Sequence, residues 1–522
     1  MDISNIDQVE KATAVGQQDI ARLGAALLFL LIVFLYATSH LGSLQGGGML
    51  VAAAVIGGYM ALNIGANDVA NNVGPIVGAR AVTLLGALMI AAIFEASGAL
   101  IAGGNVVSTI KKGIIDPQLV ADTSTFVWLM MAALLAGGIW LNLATAVGAP
   151  VSTTHSIVGG VLGAGIAAGG MEVAHWGTMG KIAASWVISP ALGGALAATF
   201  LFAIKKTVLF QPDRIHAARR WVPLWIGLMI WAFSTYLIIK GLKHLYKVPF
   251  GQAAIIGFGV AVVAWLFVKA RVARQSRDMD NNRESVSDLF TWPLILAAAF
   301  LSFAHGANDV ANAVGPLAAI TDALEHGVIH TKAAIPTWVM MVGAVGISIG
   351  LLLYGPRVIR TVGSEITELD KTRAFCISLA AAMTVILASQ LGLPVSTTHI
   401  AVGAVFGVGF LREILKTSYA SELHKIAEQH DEAERERIEK FLKEFRGASV
   451  DEMKQMLDWA KKHKKEMPLT KPERKRLKKV YKEKLVTRSH LWKIAAAWVI
   501  TVPATAVIAA IAFYAIRGFM LP

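Results

Sequence analysis

Cysteine is nearly missing from this chain: Cys376 is the only one in 522 residues. No disulfide can form within the chain, and a metal site built from cysteines is excluded. Cys376 itself lies in an apolar run and is expected to be a small buried side chain. Charge is scarce as well. Only 16% of the residues are Asp, Glu, Lys or Arg, against about 25% in a soluble globular protein, which excludes an ordinary soluble domain. Basic residues are also lacking at the start, where Asp2, Asp7, Glu10 and Asp19 accompany a single Lys. That is the wrong sign for the leading region of a cleaved secretory signal, so the first apolar segment is expected to be a retained helix.

Apolar length is what the chain has in quantity, with 55% hydrophobic residues. A membrane-crossing helix needs about 20 apolar residues. Such stretches occur near 22–39, 49–70, 82–102, 126–147, 151–168, 181–204, 222–239, 250–268, 292–312, 335–354, 374–393, 397–412 and 492–517. The expected fold is all-α and polytopic, with about 12–13 transmembrane segments, several of them short or broken by Gly and Pro. A multi-pass protein of a plasma or bacterial inner membrane follows, with the lipid bilayer as its first partner.

The net charge of +13 superficially suits nucleic acid, but its placement argues against that partner. Residues 411–490 hold 22 Lys or Arg against 15 Asp or Glu, a surplus of seven packed into one polar insert. In a membrane protein such clusters mark the cytoplasmic side. The run from Lys471 to Lys484 suits either anionic lipid or a regulator, or is a solvated helical surface.

The chain repeats itself. GANDVANNVGP from Gly65 to Pro75 returns as GANDVANAVGP from Gly306 to Pro316, with ten of eleven positions identical. PVSTTH occurs at Pro150–His155 and again at Pro394–His399, and KIAASWVIS at Lys181–Ser189 returns as KIAAAWVIT at Lys493–Thr501. Three matched blocks in matched order mean duplication. The helix opening at Lys181 is followed by basic residues Lys205, Lys206, Arg214, Arg219 and Arg220, whereas its counterpart at Lys493 is preceded by the basic insert. With a further basic loop at Lys269, Arg271, Arg274, Arg277 and Arg283, the charge rule predicts halves of opposite orientation, the N-terminus inside and the C-terminus outside. The expected division is an N-terminal tail with one extra helix at 1–45, a first inverted repeat at 46–205, and a linker with two helices at 206–290. The second repeat occupies 291–410, followed by the charged cytoplasmic insert at 411–490 and the repeat's last helix at 491–522. Inverted repeats of this kind characterise secondary transporters, with substrate sites near the midplane on helices interrupted by Gly or Pro. Small residues such as Gly65 and Gly306 also let membrane helices approach closely, which accounts for the glycines but not for an ionisable residue between them.

Asp68 and Asp309 stand in otherwise apolar runs, where a charge costs at least about 2.5–3.5 kcal/mol at the bilayer centre. Asn67, Asn71, Asn308 and Asn312 flank them. A carboxylate among amide and backbone oxygens suits a hard cation; proton carriage and a merely hydrogen-bonded carboxyl are the other readings. In PVSTTH, Pro stops the preceding element and Ser or Thr caps the next helix. A helix start inside the membrane leaves N–H donors at the positive end of a dipole, which favours an anion. Ser152, Thr153 and Thr154, with Ser396, Thr397 and Thr398, add hydroxyls suited to a tetrahedral oxyanion. Plain capping with Thr bonded to its own backbone is the bland alternative. His155 and His399 either orient their loops or take part in substrate or proton handling. His305 has no counterpart, because the matching position is Ile64, so a symmetric role is excluded. Glu95, an unduplicated acid in an apolar helix, either joins ion coupling or pairs with a neighbouring polar group.

These blocks resemble the inorganic phosphate transporter (PiT) family, over most of the chain outside residues 1–45 and the insert. Two copies of GANDVAN and two of PVSTTH are that family's signature; GPRVIRTVG from Gly355 and FEASG from Phe94 look closer to its sodium-coupled branch. The resemblance implies phosphate contacts from Asn67, Asp68, Ser152, Thr153, Thr154, Asn308, Asp309, Ser396, Thr397 and Thr398. It implies cation (sodium) ligation chiefly by Asp68 and Asp309, with Asn71 and Asn312. It also implies phosphate symport with Na+, or with H+ and then often as a metal–phosphate complex, and a homodimer. From the residues themselves, Glu95, His155 and His399 are candidates for coupling, the expected mechanism is alternating access, and neither cofactor nor catalysis is expected. The insert departs from relatives that carry a long loop between their halves, so its role does not transfer. Rival readings are sulfate as substrate, a passive channel, and an intramembrane hydrolase using Ser152, His155 and Asp68.

Overall fold

The computed structural model describes all residues except 1–2, 44–45, 243–245, 328–334, 366–368, 417–431, 448–449, 464–466, 468, 471–472, 475–476, 478–487 and 521–522. In chain order the helices are α1 (Ile3–Leu41), α2 (Gly47–Gly78), α3 (Leu84–Ala102), α4 (Gly104–Lys112), α5 (Thr123–Ala146) and α6 (Thr153–Gly169). They continue with α7 (Trp176–Ile204), α8 (Arg214–Gly241), α9 (Phe250–Gln275), α10 (Arg283–Leu289), α11 (Thr291–Asp309) and α12 (Ala311–His326). The remainder are α13 (Thr337–Glu365), α14 (Lys371–Gln390), α15 (Thr397–Lys416), α16 (Glu432–Gly447), α17 (Val450–Lys462) and α18 (Arg488–Met520). No β-strand forms among the described residues; one isolated bridge joins Ile115 to Ala174. The protein is an all-α multi-pass membrane protein.

Among the described residues, eleven helical stretches are long and apolar enough to span a bilayer. The two short expected segments beyond these, near 151–168 and 397–412, are α6 and α15. Helix starts at the outer ends of the bundle carry polar caps, which satisfy otherwise orphaned N–H groups: Asp122 accepts from Thr125 N at 2.8 Å and Asp370 from Arg373 N at 2.8 Å. On α9, Ile255, Phe258, Val263 and Phe267 are exposed. An apolar face of that size is stable against lipid, not water.

Close backbone approaches at glycines set the packing, as expected where association relies on van der Waals contact. A side chain on Gly65 would meet the backbone of Ile347 on α13, and one on Gly306 would meet that of Glu95 on α3. Likewise Gly98 sits on Phe303 and Gly350 on Leu62. Elsewhere Gly159 of α6 lies against Val502 of α18, and Gly403 of α15 against Pro190 of α7. Each pair has its counterpart at the matching place in the other duplicated block.

Both GANDVAN blocks are helical. The first lies within α2, and at the second α12 follows α11 across the single residue Val310, whose backbone keeps helical angles (φ −56°, ψ −30°) and whose N–H still bonds Gly306 O at 3.3 Å, so that Thr291–His326 forms one membrane-spanning stretch. The interruption expected in these blocks is therefore confined to one residue of the second copy. His305 Nε2 lies there 2.9 Å from Asp309 Oδ2, one turn ahead; the matching residue in α2 is the apolar Ile64. The breaks common to both halves are the turns before α6 and α15. Gly148 (φ 71°) and Gly392 (φ 67°) adopt left-handed conformations there, which only Gly tolerates without strain.

The insert has a core of its own. Ile438, Phe441, Leu442 and Phe445 of α16 cluster with Leu457 and Ala460 of α17.

Candidate functional site

The polar residues singled out in the sequence come together at the centre of the bundle. Asn67, Asp68, Asn71, Ser152, Thr153, Thr154, His155, Asn308, Asp309, Asn312, Ser396, Thr397, Thr398 and His399 are all buried. α6 and α15 begin inside the protein and point their first turns at this cluster. Ser152 caps α6 by accepting from His155 N (3.1 Å), and Ser396 caps α15 by accepting from His399 N (3.2 Å). Burying a helix start requires partners for its donors, and the serines supply one each.

The threonine hydroxyls tie these helix starts to the aspartates. Thr153 Oγ1 donates to Asp68 Oδ2 at 2.8 Å, and the matching Thr397 Oγ1 donates to Asp309 Oδ2 at 2.8 Å. Asp68 is also reached from the other half, by Thr398 Oγ1 at 3.0 Å. Asn71 Nδ2 donates to Thr398 Oγ1 (2.8 Å), and Asn312 Nδ2 donates to Thr153 Oγ1 (3.1 Å) and Thr154 Oγ1 (3.2 Å). Thr154 donates to the Val395 carbonyl and Thr398 to the Val151 carbonyl, a reciprocal exchange between the two PVSTTH loops. Asn67 pins the first loop, donating to Ala149 O and accepting from Val151 N, both at 3.1 Å. Asn308 reaches Ser389 Oγ at 3.0 Å whichever way its amide is turned.

One central residue lies outside the duplicated motifs. His305, fully buried, places Nε2 2.9 Å from Asp309 Oδ2 and 3.6 Å from Asp68 Oδ2, and Nδ1 3.2 Å from Glu95 Oε1. These are ion-pair distances, although neither ring N–H points along a hydrogen-bond line. Glu95 is thereby joined to the cluster; its Oε1 also accepts from Asn72 Nδ2 at 2.6 Å. The signal was present in the sequence: an ionisable residue four before Asp309 shares a helix face with it. His305, unmatched in the first half, thus takes an asymmetric place beside Asp68, Asp309 and Glu95.

His155 and His399 do not touch the aspartates. Their rings pack on each other (centroids 4.4 Å apart), His155 on Trp186 (3.6 Å) and His399 on Trp498 (3.6 Å). The two Trp residues are the sixth members of the duplicated KIAA blocks, so the four-ring stack is itself built from matched pairs. This packing removes the hydrolase geometry. Ser152 Oγ takes a backbone N–H, the His155 ring lies between two aromatic neighbours, and Asp68 binds threonines instead of His155.

Three carboxyl groups and one imidazole thus share a buried interior, and among the described residues no Lys or Arg is bonded to them. Ligand atoms of Asp68, His305 and Asp309 all lie within 4.8 Å of one another. Such a concentration of acid groups demands positive charge, and oxygen ligands of this kind suit a hard cation. Hydroxyls and two buried helix starts supply neutral donors at the same place.

Bundle and site together define a multi-pass transporter, not an enzyme. The model of the phosphate transporter family matches residues 64–509, and the chain belongs to that family. It is 51% identical to a Helicobacter pylori (strain J99) protein named a phosphate permease, over 100% of this chain and 99% of that protein. A Pyrococcus abyssi protein of the same designation is 42% identical over 70% of this chain and 89% of its own length. Among solved structures, one described as the sodium-dependent phosphate transporter superposes with a TM-score of 0.74 at 32% identity, covering 91% of this chain and 100% of that one.

Proposed function

We propose that the protein carries inorganic phosphate across the membrane together with sodium, by alternating access of two inverted repeats. The observation that carries this reading is Asp68, whose carboxylate accepts hydroxyls from both helix starts, Thr153 of one half and Thr398 of the other. Cation ligands and anion donors therefore form one network. A sodium ion taken up by Asp68 and Asp309, with the Asn71 and Asn312 amides, draws the carboxylates away from the threonines. The freed hydroxyls of Thr153, Thr154, Thr397 and Thr398, with Ser152, Ser396, Asn67 and Asn308 around them, then face phosphate. Because these donors are neutral, binding stays weak enough to permit release, and the cations offset the anion's charge. Phosphate can also donate a hydrogen bond to an Asp, which sulfate cannot at neutral pH.

The reciprocal contacts between the PVSTTH loops support a two-fold relation between repeats 46–205 and 291–410 plus 491–522. Relative motion of those repeats about the shared site is the expected transport step. The sodium dependence named for the superposable transporter supports sodium as the coupling ion. His305, in contact with three carboxyl groups, supports a second reading in which a proton is carried. A homodimer is retained from the family resemblance.

Proteoliposomes separate these readings. Labelled phosphate should accumulate under an inward sodium gradient at equal pH and not under a potassium gradient, with sulfate a poor competitor. Accumulation driven by a pH gradient alone assigns coupling to protons, and sulfate competing as well as phosphate reassigns the anion.

A further inference from the structure

His155 and His399 are counterparts in the duplicated PVSTTH blocks, and their rings touch, with centroids 4.4 Å apart. Two equivalent residues meet each other only where a two-fold axis passes between them, which places this contact on the axis proposed above. Behind each ring stands the Trp of its own half, Trp186 on His155 and Trp498 on His399, both at 3.6 Å. The helices that carry these Trp residues pack crosswise. α7 lies on α15, with Gly403 against Pro190, and α18 lies on α6, with Gly159 against Val502. Each Trp is therefore stacked on the PVSTTH helix of its own half and borne by a helix that packs on the other.

The two indoles are used unequally. Trp186 is tilted by 45° to the His155 ring and donates its Nε1–H to Pro394 O, at the entrance to α15, at 3.4 Å. Trp498 lies closer to parallel with His399, at 28°, and its buried Nε1–H has no partner. The carbonyl that corresponds to Pro394 O is that of Pro150. The same inequality reaches the threonines: Thr398 Oγ1 lies 3.0 Å from Asp68 Oδ1, whereas the hydroxyl of its counterpart Thr154 is given to Val395 O. A buried donor without an acceptor is costly. The mirror arrangement, with Trp498 on Pro150 O and Trp186 unpaired, contains the same number of bonds.

We propose that Trp186 and Trp498 are positioning residues that act alternately in the transport cycle. In the conformation described here Trp186 holds the start of α15 through Pro394 O. In the oppositely facing conformation Trp498 holds the start of α6 through Pro150 O, and each passage exchanges one bond for the other. Neither indole needs to touch the transported ions; each acts through the helix start whose hydroxyls do. The exchange keeps the two conformations close in energy, so that differential ligand binding suffices to move the balance between them. This inference rests on the alternating-access reading and adds the residues that set its balance.

The test is uptake of labelled phosphate, under the cation gradient that drives it, by right-side-out and by inverted membrane vesicles, which present opposite faces of the full-length protein. The apparent KM on a face varies inversely with the population open to that face, so the ratio of the two KM values reports the balance of conformations. Phe in place of Trp removes the N–H and keeps an aromatic ring against the imidazole. Trp186→Phe should shift the ratio about fivefold, the weight of one hydrogen bond, and Trp498→Phe should shift it about fivefold in the opposite direction. In the double variant the ratio should return to the wild-type value. Loss of ring packing alone weakens both faces alike; an unchanged ratio, or shifts of the same sign, overturns the proposal. Each single variant also decides by itself: if one fails to reach the membrane, an unmoved ratio in the other is enough to overturn it. Wild-type vesicles of both orientations that take up no phosphate would remove the transport reading, and this proposal with it, whereas active vesicles with an unmoved ratio remove the Trp exchange alone.

Discussion

His305 and Glu95 occupy a crossing whose counterpart in the other half is apolar. Gly306 backs onto Glu95 as Gly65 backs onto Ile347, so the matching pair is Ile64 with Ile347, both buried in the main core. An ionisable pair in one half replaces two isoleucines in the other. Removing one member of a buried pair leaves an uncompensated charge, at a cost of about 3–5 kcal/mol, whereas replacing both by apolar groups is often neutral. His305→Ala should therefore lower the unfolding temperature in detergent sharply. Glu95→Ile with His305→Ile, which copies the other half, should recover most of that loss and still fail to concentrate phosphate in proteoliposomes. A double variant as unstable as the single one would show that the pair is not the source of the effect. Asp68→Asn and Asp309→Asn, which keep the shape and remove the charge, should each insert normally and lose concentrative uptake; wild-type uptake in either contradicts the cation role. The aspartates, asparagines and threonines were legible in sequence because duplication marked them twice. His305 was not, because it occurs once, and its significance depends on which face of α3 packs beside it.

At the scale of helices, glycine spacing separates positions that hold two elements together from positions that do not. A Cβ on Gly407 would strike the Gly194 backbone where α15 meets α7, whereas one on Gly74 in α2 has nothing within 4 Å. Overpacking a tight contact costs about 1–3 kcal/mol, and Ala in a helix interior is favoured over Gly by roughly 0.5–1 kcal/mol. Gly407→Ala should reduce thermal stability and monodispersity on size exclusion, and Gly74→Ala should leave both unchanged or slightly improved, although both glycines belong to duplicated segments. Equal behaviour of the two variants would mean that backbone approach does not set this packing. The number of apolar helices was readable from run length, and the internal turns from Pro and Gly in the PVSTTH loops. The exchange of threonine hydroxyls between the two loops was not, since it depends on how the halves pack together, which local sequence does not carry.

For the molecule as a whole, two bodies of different energetics share one chain. The insert's cluster around Phe445 is separate from the membrane core among the described residues, and a core so small leaves little stability in reserve. Phe445→Ala, a loss of about 3–5 kcal/mol in a well-packed core, should make residues 432–462 sensitive to trypsin while phosphate uptake continues; lost uptake would tie the insert to the transport cycle. In the membrane body, Thr153, Thr397 and Thr398 give their hydroxyls to Asp68 and Asp309. Under the proposed function, phosphate competes with the carboxylates for these donors until a cation engages the acids, which links the two ligand sites. Any ligand that binds the folded state stabilises it, by about 2.7 kcal/mol at a hundred times its Kd, and coupling between two ligands is reciprocal. Sodium alone should raise the unfolding temperature modestly and phosphate in potassium hardly at all. The two together should raise it by more than the sum of their separate effects, and phosphate should tighten the apparent sodium Kd by the factor through which sodium tightens phosphate. An equal shift from phosphate with and without sodium would uncouple the threonines from the cation site.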